Sequence, residues 1–219
     1  MPAFRNSKLW KVRKGEKMAI KYCVWDVGQV VYPFSLDYLD EWAFSKTVDK
    51  ADFQNKGGVK TFDYNPYMLG EEDDAVFCEN LCLEYNIPFE KQTVFEISQA
   101  LHQGVGKFFD ETLETMKILS QKGILNCILS NALPMLEDTA ANLVAKNYLF
   151  TSYQLGLLKP NPEIYEKVRQ SLGCGFEEII FVDDKVRNVL SAKNLGIHGI
   201  VFNPKTIKND CKRIIQENC

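Results

Sequence analysis

Short apolar runs alternate with helix-length segments along most of this 219-residue chain, and that alternation limits the fold more than any other feature. Ile20 to Trp25, Ile124 to Leu129, Tyr148 to Thr151, Ile179 to Val182 and Gly199 to Phe202 are strand-sized and largely apolar. Segments with helical spacing follow them at 110–121, 133–146, 161–171, 186–194 and 205–216. Lys122-Gly123, Gly173 and Gly196 supply stops, and Asp110 stands where a helix cap is needed. Strands separated by helices must run parallel, with helices packed on both faces. The expected fold is α/β, a doubly wound parallel sheet.

The alternation stops between residues 34 and 108. Helical spacing covers 36–48, 72–86 and 90–104, with acids from Glu71 to Asp74 suited to a helix N-terminus and Pro88 as an interruption. No convincing strand lies in this stretch, although Val59 to Phe62 is ambiguous. Residues 34–108 are therefore expected to form a helical subdomain inserted into a core made of 18–33 and 109–219. Its aromatics, including Tyr38, Trp42, Phe44, Phe62, Tyr64 and Tyr67, suit a small core of their own, with some left to face a ligand.

Residues 1–17 differ from the rest, setting Arg5, Lys8, Lys11, Arg13, Lys14 and Lys17 against one acid, Glu16. No apolar stretch follows them, which disfavours a secretory signal. Lys14 to Lys17 need purine-rich codons of the kind found just ahead of a bacterial start, so Met18 is the expected native start. A net charge of −3 gives no general attraction to nucleic acid or anionic lipid, and no run reaches the roughly 18 apolar residues of a membrane span. The seven cysteines form no C-x-x-C pair, and Cys23 and Cys127 sit in strand-like runs as small hydrophobes. With two histidines, a Cys/His zinc site has little to build from. A reduced, cytoplasmic protein is expected.

In an open α/β sheet, ligands gather beyond the carboxyl ends of the strands. The residues there are Asp26 and Gly28, Ser130 and Asn131, then Asp183 and Asp184, with Asn188 one helical turn on and Lys159 just ahead of a helix. Singly, each has an ordinary reading as a cap, a turn or a solvated side chain. Together they place a carboxylate, a hydroxyl, an amine and a carboxylate pair on one edge. Acids so crowded repel unless a cation sits among them, and oxygen ligands suit Mg²⁺.

Asp26-x-Gly-x-Val, Leu-Ser130-Asn131, Lys159-Pro160 and Val-Asp183-Asp184 resemble, in order, the motifs of haloacid dehalogenase-like hydrolases with a helical cap. Leu69-Gly70-Glu71-Glu72-Asp73-Asp74 is similar to the branch that contains bacterial sugar-1-phosphate phosphatases. The resemblance implies a Rossmann-like core, Mg²⁺ as cofactor and a small phosphorylated substrate. It implies Asp26 as the nucleophile that becomes an aspartyl-phosphate, Ser130 and Asn131 as phosphate contacts, and Lys159 as the neutralising cation. Asp26, the Gly28 carbonyl, Asp183 and Asp184 would hold the metal, and Asn188 would brace the acidic loop.

One departure stands out. Phosphatases of that family carry a second Asp two residues after the nucleophile, to protonate the leaving oxygen; here the position is Gly28. General acid catalysis contributes about 10²–10⁴-fold. Either the leaving group needs little protonation, as with a sugar 1-phosphate or acyl phosphate, or a cap residue or water substitutes, or the chain is a weak or inactive phosphate-binding relative. A 2-haloacid dehalogenase would also lack that acid but has no use for the paired acids. Polarity and placement mark Tyr32, Tyr64, Tyr67, His102 and Gln103 as candidate substrate contacts. The expected activity is a Mg²⁺-dependent phosphatase, with a sugar 1-phosphate favoured and the oligomeric state open.

Overall fold

The computed structural model describes residues 19–218. The basic segment 1–17, the expected start at Met18 and Cys219 lie outside the described residues. Strands β1 (Tyr22–Trp25), β2 (Leu125–Ser130), β3 (Leu149–Thr151), β4 (Ile179–Asp183) and β5 (His198–Val201) form one sheet in the order β3-β2-β1-β4-β5. Every pairing is parallel, with Tyr22 in register with Leu125 on one side and Ile179 on the other.

The helices occur in chain order as α1 (Asp37–Lys46), α2 (Lys50–Lys56), α3 (Asn65–Met68), α4 (Asp74–Glu84), α5 (Thr93–Gln103), α6 (Asp110–Gln121), α7 (Asp138–Ala141), α8 (Ser152–Leu155), α9 (Pro162–Leu172), α10 (Val186–Asn194) and α11 (Ile207–Glu217). The two-residue period of β1 sorts its side chains between two cores. Cys23 and Trp25 pack with Met116 and Leu119 of α6 and Ile207, Cys211 and Ile214 of α11. Val24 packs on the opposite face with Ile164, Tyr165 and Val168 of α9 and Ala192 of α10. This is the expected doubly wound sheet. Cys23 and Cys127 are fully buried and unbridged. Among the described residues, no helix is long and apolar enough to cross a membrane.

Between β1 and α6 the chain leaves the sheet and returns through two extended segments that touch at the Phe34–Val105 bridge. Ser35 N–H donates to Gly104 O at 3.0 Å and Gly106 N–H to Pro33 O at 2.8 Å. The two segments run so close that a Cβ at Gly104 would stand 2.0 Å from Ser35 O. The helices between them build their own core around Leu39, Phe53, Phe77, Leu81, Ile97 and Leu101, and Leu133 and Leu136 from beyond β2 join it. Asp73 caps α4, accepting from the N–H groups of Ala75 and Val76.

Several local expectations need correction. Residues 133–146 do not form one helix: a 3₁₀ turn at Pro134–Leu136 and the single turn α7 replace it. Helical spacing would put 133, 136, 140 and 143 on one face, but two cores claim them. Leu133 and Leu136 face the insert, while Ala140 packs with Val27, Val31 and Ile128. Asp110 is the first residue of α6 and makes no capping bond; Phe109 holds the cap position. Val59–Thr61 is a 3₁₀ turn.

Phe77 lies in the centre of the insert's core, fully buried and stacked on Tyr67 at 4.1 Å between centroids. Burial of this kind sets the cost of Phe→Ala at about 3–5 kcal/mol. Phe77→Ala is expected to lose that much in urea unfolding, and a loss under about 1 kcal/mol contradicts the packing described.

Candidate active site

Three strand ends and one loop converge. Asp26 directly follows β1, tied to its neighbour by Asp26 N–H to Val182 O at 2.8 Å. The chain then tightens: Val31 N–H donates to Val27 O at 2.8 Å, and Gln29 takes a left-handed conformation with φ of 63°. Ser130 ends β2 and Asp183 ends β4. β1 and β4 meet where the strand order reverses, the position at which open α/β sheets bind ligands.

Lys159 joins these ends. Its Nζ is 2.7 Å from Asp26 Oδ1 and 2.8 Å from Asp183 Oδ2, and it donates to Leu129 O at 2.8 Å. Its side chain is 1% exposed, so the ammonium is held by protein alone. Asn131 fixes the loop that carries it, accepting from Lys159 N–H at 2.9 Å and donating to Lys159 O at 3.0 Å. The Asn131 side chain is thus committed to that loop, while the residue still lines the cleft. Asn188 Nδ2 lies 2.9 Å from both Asp183 oxygens, and Lys185 N–H donates to Asp183 Oδ1 at 2.8 Å.

The charges do not balance. Asp26, Asp183 and Asp184 bring three carboxylates to the one buried ammonium of Lys159, with Lys185 a further cation beside Asp184. Burial pushes the Asp26 carboxyl up to about 6; Lys159 pulls it down and Asp183 adds to the rise. Burial, then Asp183, also raises Asp184. Burial disfavours the charged form of Lys159, but Asp26 and Asp183 outweigh it and hold its pKa above the usual value. One oxygen from each carboxylate lies within 4.8 Å of the others, and Asp184 Oδ1 is buried with no hydrogen-bond partner. An all-oxygen set with excess negative charge and an orphaned acceptor fits a hard divalent cation such as Mg²⁺.

These groups open on a cleft of about 570 Å³ between the sheet edge and the insert. Asp26, Gly28, Ser130, Asn131, Lys159, Asp184 and Asn188 line it, with Tyr64 from the insert. Tyr32 lies beside it, buried, its hydroxyl 2.6 Å from Thr139 Oγ1. Tyr67 is fully buried and ties the insert together, donating to Asp74 Oδ1 at 2.5 Å and accepting from Met135 N–H at 3.2 Å. His102 and Gln103 end α5 outside the cleft lining, where His102 Nδ1 meets Ser98 O at 2.8 Å. The structure therefore removes Tyr67, His102 and Gln103 from the cleft wall. It adds Lys60, Asp37, Lys185, Phe34, Leu36 and Met68. Lys60 pairs with Asp37 at 2.5 Å, and it sits on the turn whose sequence reads two ways.

The family profile described as "Hydrolase: haloacid dehalogenase-like hydrolase" matches residues 20–196, and the chain belongs to that family of hydrolases. Bifunctional epoxide hydrolase 2 of Rattus norvegicus is 30% identical over 95 residues, 39% of this chain and 17% of that protein. A sesquiterpene phosphatase of Aspergillus oryzae is 40% identical over 52 residues, 24% of this chain and 26% of that one. The chain thus matches only about a sixth of the first relative's length and a quarter of the second's. Among solved structures, a HAD-family enzyme from Bacteroides thetaiotaomicron in a magnesium complex aligns with TM-score 0.70 at 20% identity, over 90% of this chain and all of that one (100%). A 2-haloacid dehalogenase from Pseudomonas syringae aligns with TM-score 0.61 at 16% identity, over 85% and 87%. Likeness at such identities establishes the fold and leaves the reaction to the site's residues.

The raised Asp26 carboxyl has a definite sign in metal-free protein. Its folded value near 6 exceeds the ordinary 3.8, so its share of stability is full below about 4 and is lost as pH rises through about 6. Asp26→Asn is expected to flatten that slope in chelator. Mg²⁺ at a hundredfold over its Kd stabilises by about 2.7 kcal/mol, or roughly 5–10 °C in a chain this size. Thermal melts at neutral pH should show that rise in the wild type and lose it in Asp184→Asn; equal shifts contradict the assignment of Asp184.

Proposed function

We propose that this chain is a Mg²⁺-dependent phosphatase acting on a small phosphorylated metabolite, with a sugar 1-phosphate the first substrate to test. The observation that carries this reading is Lys159 held between Asp26 and Asp183, beside an unpaired Asp184 oxygen, at the floor of an open cleft.

Each residue has a task that its position supports. The Asp26 carboxylate attacks phosphorus as the bond to the leaving oxygen breaks. The phosphoryl group then rests on Asp26 until water removes it. Lys159 neutralises charge on Asp26 and the phosphoryl oxygens; it is already in place, so no reorganisation is needed as the reaction proceeds. The Ser130 hydroxyl donates to a phosphoryl oxygen from the cleft wall. Asp26, Asp183, Asp184 and the Gly28 carbonyl would hold Mg²⁺, which when bound supplies electrostatic stabilisation of the phosphoryl charge. Asp183 is wholly buried, and its bonds to Lys159, Asn188 and Lys185 make positioning its main work.

Dehalogenation shares the nucleophile but has no need of a three-carboxylate cation site, which favours phosphate chemistry. Gly28 offers no acid, which favours a leaving group that departs with little protonation. A Cβ at Gly28 would meet nothing within 4 Å, so a side chain can start there without a clash.

Phosphate release from sugar 1-phosphates, sugar 6-phosphates and an aryl phosphate, with Mg²⁺ and with chelator, tests the reading. Release is expected with Mg²⁺ alone and should fall at least about 10³-fold in Asp26→Asn. Gly28→Asp should raise turnover of the 6-phosphates by at least about tenfold, a part of what a general acid contributes. Unchanged hydrolysis in Asp26→Asn contradicts the nucleophile. Silence of the folded wild type across the panel points to phosphate binding without turnover.

A further inference from the structure

We infer that the substrate's leaving group carries a short apolar branch, which passes over Gly28 into a side pocket of the active cleft. The inference rests on the phosphatase reading and narrows its substrate class.

A second cavity of about 80 Å³ adjoins the cleft, and Gly28, Phe34, Ser130, Asn131 and Leu133 line both. Its deeper walls are Val27, Ile128, Leu136, Ala140 and Leu149. Tyr32 and Thr139, which also line it, direct their hydroxyls at each other at 2.6 Å. Glu137 is engaged by Gln154 Nε2 at 3.2 Å. Apart from Ser130 and Asn131 at its rim and Thr151, whose buried hydroxyl has no hydrogen-bond partner, the remaining lining is hydrocarbon, and apolar cavities hold apolar groups better than water. Its volume is about half that of an engineered cavity that takes benzene, enough for roughly three carbons.

Gly28 is the junction. Its φ is not in the left-handed region and a Cβ there would meet no atom within 4 Å, so neither strain nor crowding requires glycine. A side chain would instead occupy the space where cleft and pocket meet. The missing acid and the open passage are thus two consequences of one residue. A branch leading away from the leaving oxygen, next to Asp26, would cross Gly28 and bury itself between α7 and the start of β3. Sugars whose surface is all hydroxyl have nothing to place there.

Acyl phosphates test this cleanly, because acetyl, propionyl, butyryl and valeryl phosphate share nearly the same leaving-group acidity and need no general acid. With Mg²⁺-loaded wild type, kcat/KM is expected to rise about fourfold for each added methylene over the first two or three, then level off. Ala140→Leu, which fills the pocket, should bring the butyryl-to-acetyl ratio down to about one, with folding checked by thermal melt. If that variant does not fold, the wild-type series still decides. A flat wild-type series with Asp26-dependent hydrolysis overturns the inference and leaves the phosphatase reading standing. No Asp26-dependent hydrolysis of any member overturns both.

Discussion

Everything at the carboxyl edge of the sheet depends on one buried ammonium. Lys159 lies between Asp26 and Asp183 with almost no exposure, and it offsets only part of the charge that gathers there. Removing one partner from such a buried pair costs about 3–5 kcal/mol, because the survivors are left uncompensated. The surrounding structure reads as support for this contact. Asn131, just past β2, clamps the Lys159 backbone, Asn188 holds both oxygens of Asp183 from α10, and Leu129 O takes a third ammonium bond. What the lysine leaves unbalanced, a cation is suited to complete.

The insert is bound to the core by contacts of a different kind. Leu133 and Leu136 reach into its hydrophobic cluster, and Met135 N–H donates to the buried Tyr67 hydroxyl. The segment after β2 thus supplies Ser130 and Asn131 to the cleft, two leucines to the insert and Ala140 to the sheet core. Serving three surfaces within a dozen residues is incompatible with a regular helix, which explains its broken course. The same irregularity leaves room for the side pocket beside Gly28.

The sheet was legible in the sequence because parallel strands buried on both faces are short, apolar and separated by helices, as Tyr22–Trp25 and Ile179–Asp183 show. The polar residues converging on the cleft were legible for a related reason: an Asp or Ser directly after such a run has one edge of the sheet to occupy. Contacts set by tertiary packing were not. Nothing local distinguishes Tyr67, fully buried, from Tyr64, which lines the cleft three residues earlier. The helical spacing of 133–146 is real, yet two cores divide its apolar residues. Lys60 and Asp37 meet across the insert, and no sequence spacing brings a 3₁₀ turn to the start of α1.

In the proposed reaction Asp26 carries the phosphoryl group during turnover. Acid quenching of the Mg²⁺-loaded protein during hydrolysis, followed by peptide mass mapping, tests it most directly. One phosphoryl group is expected on the peptide containing Asp26, present during turnover and absent from Asp26→Asn. Sustained hydrolysis with no phosphoryl group on that peptide, or with the group on another residue, would contradict it.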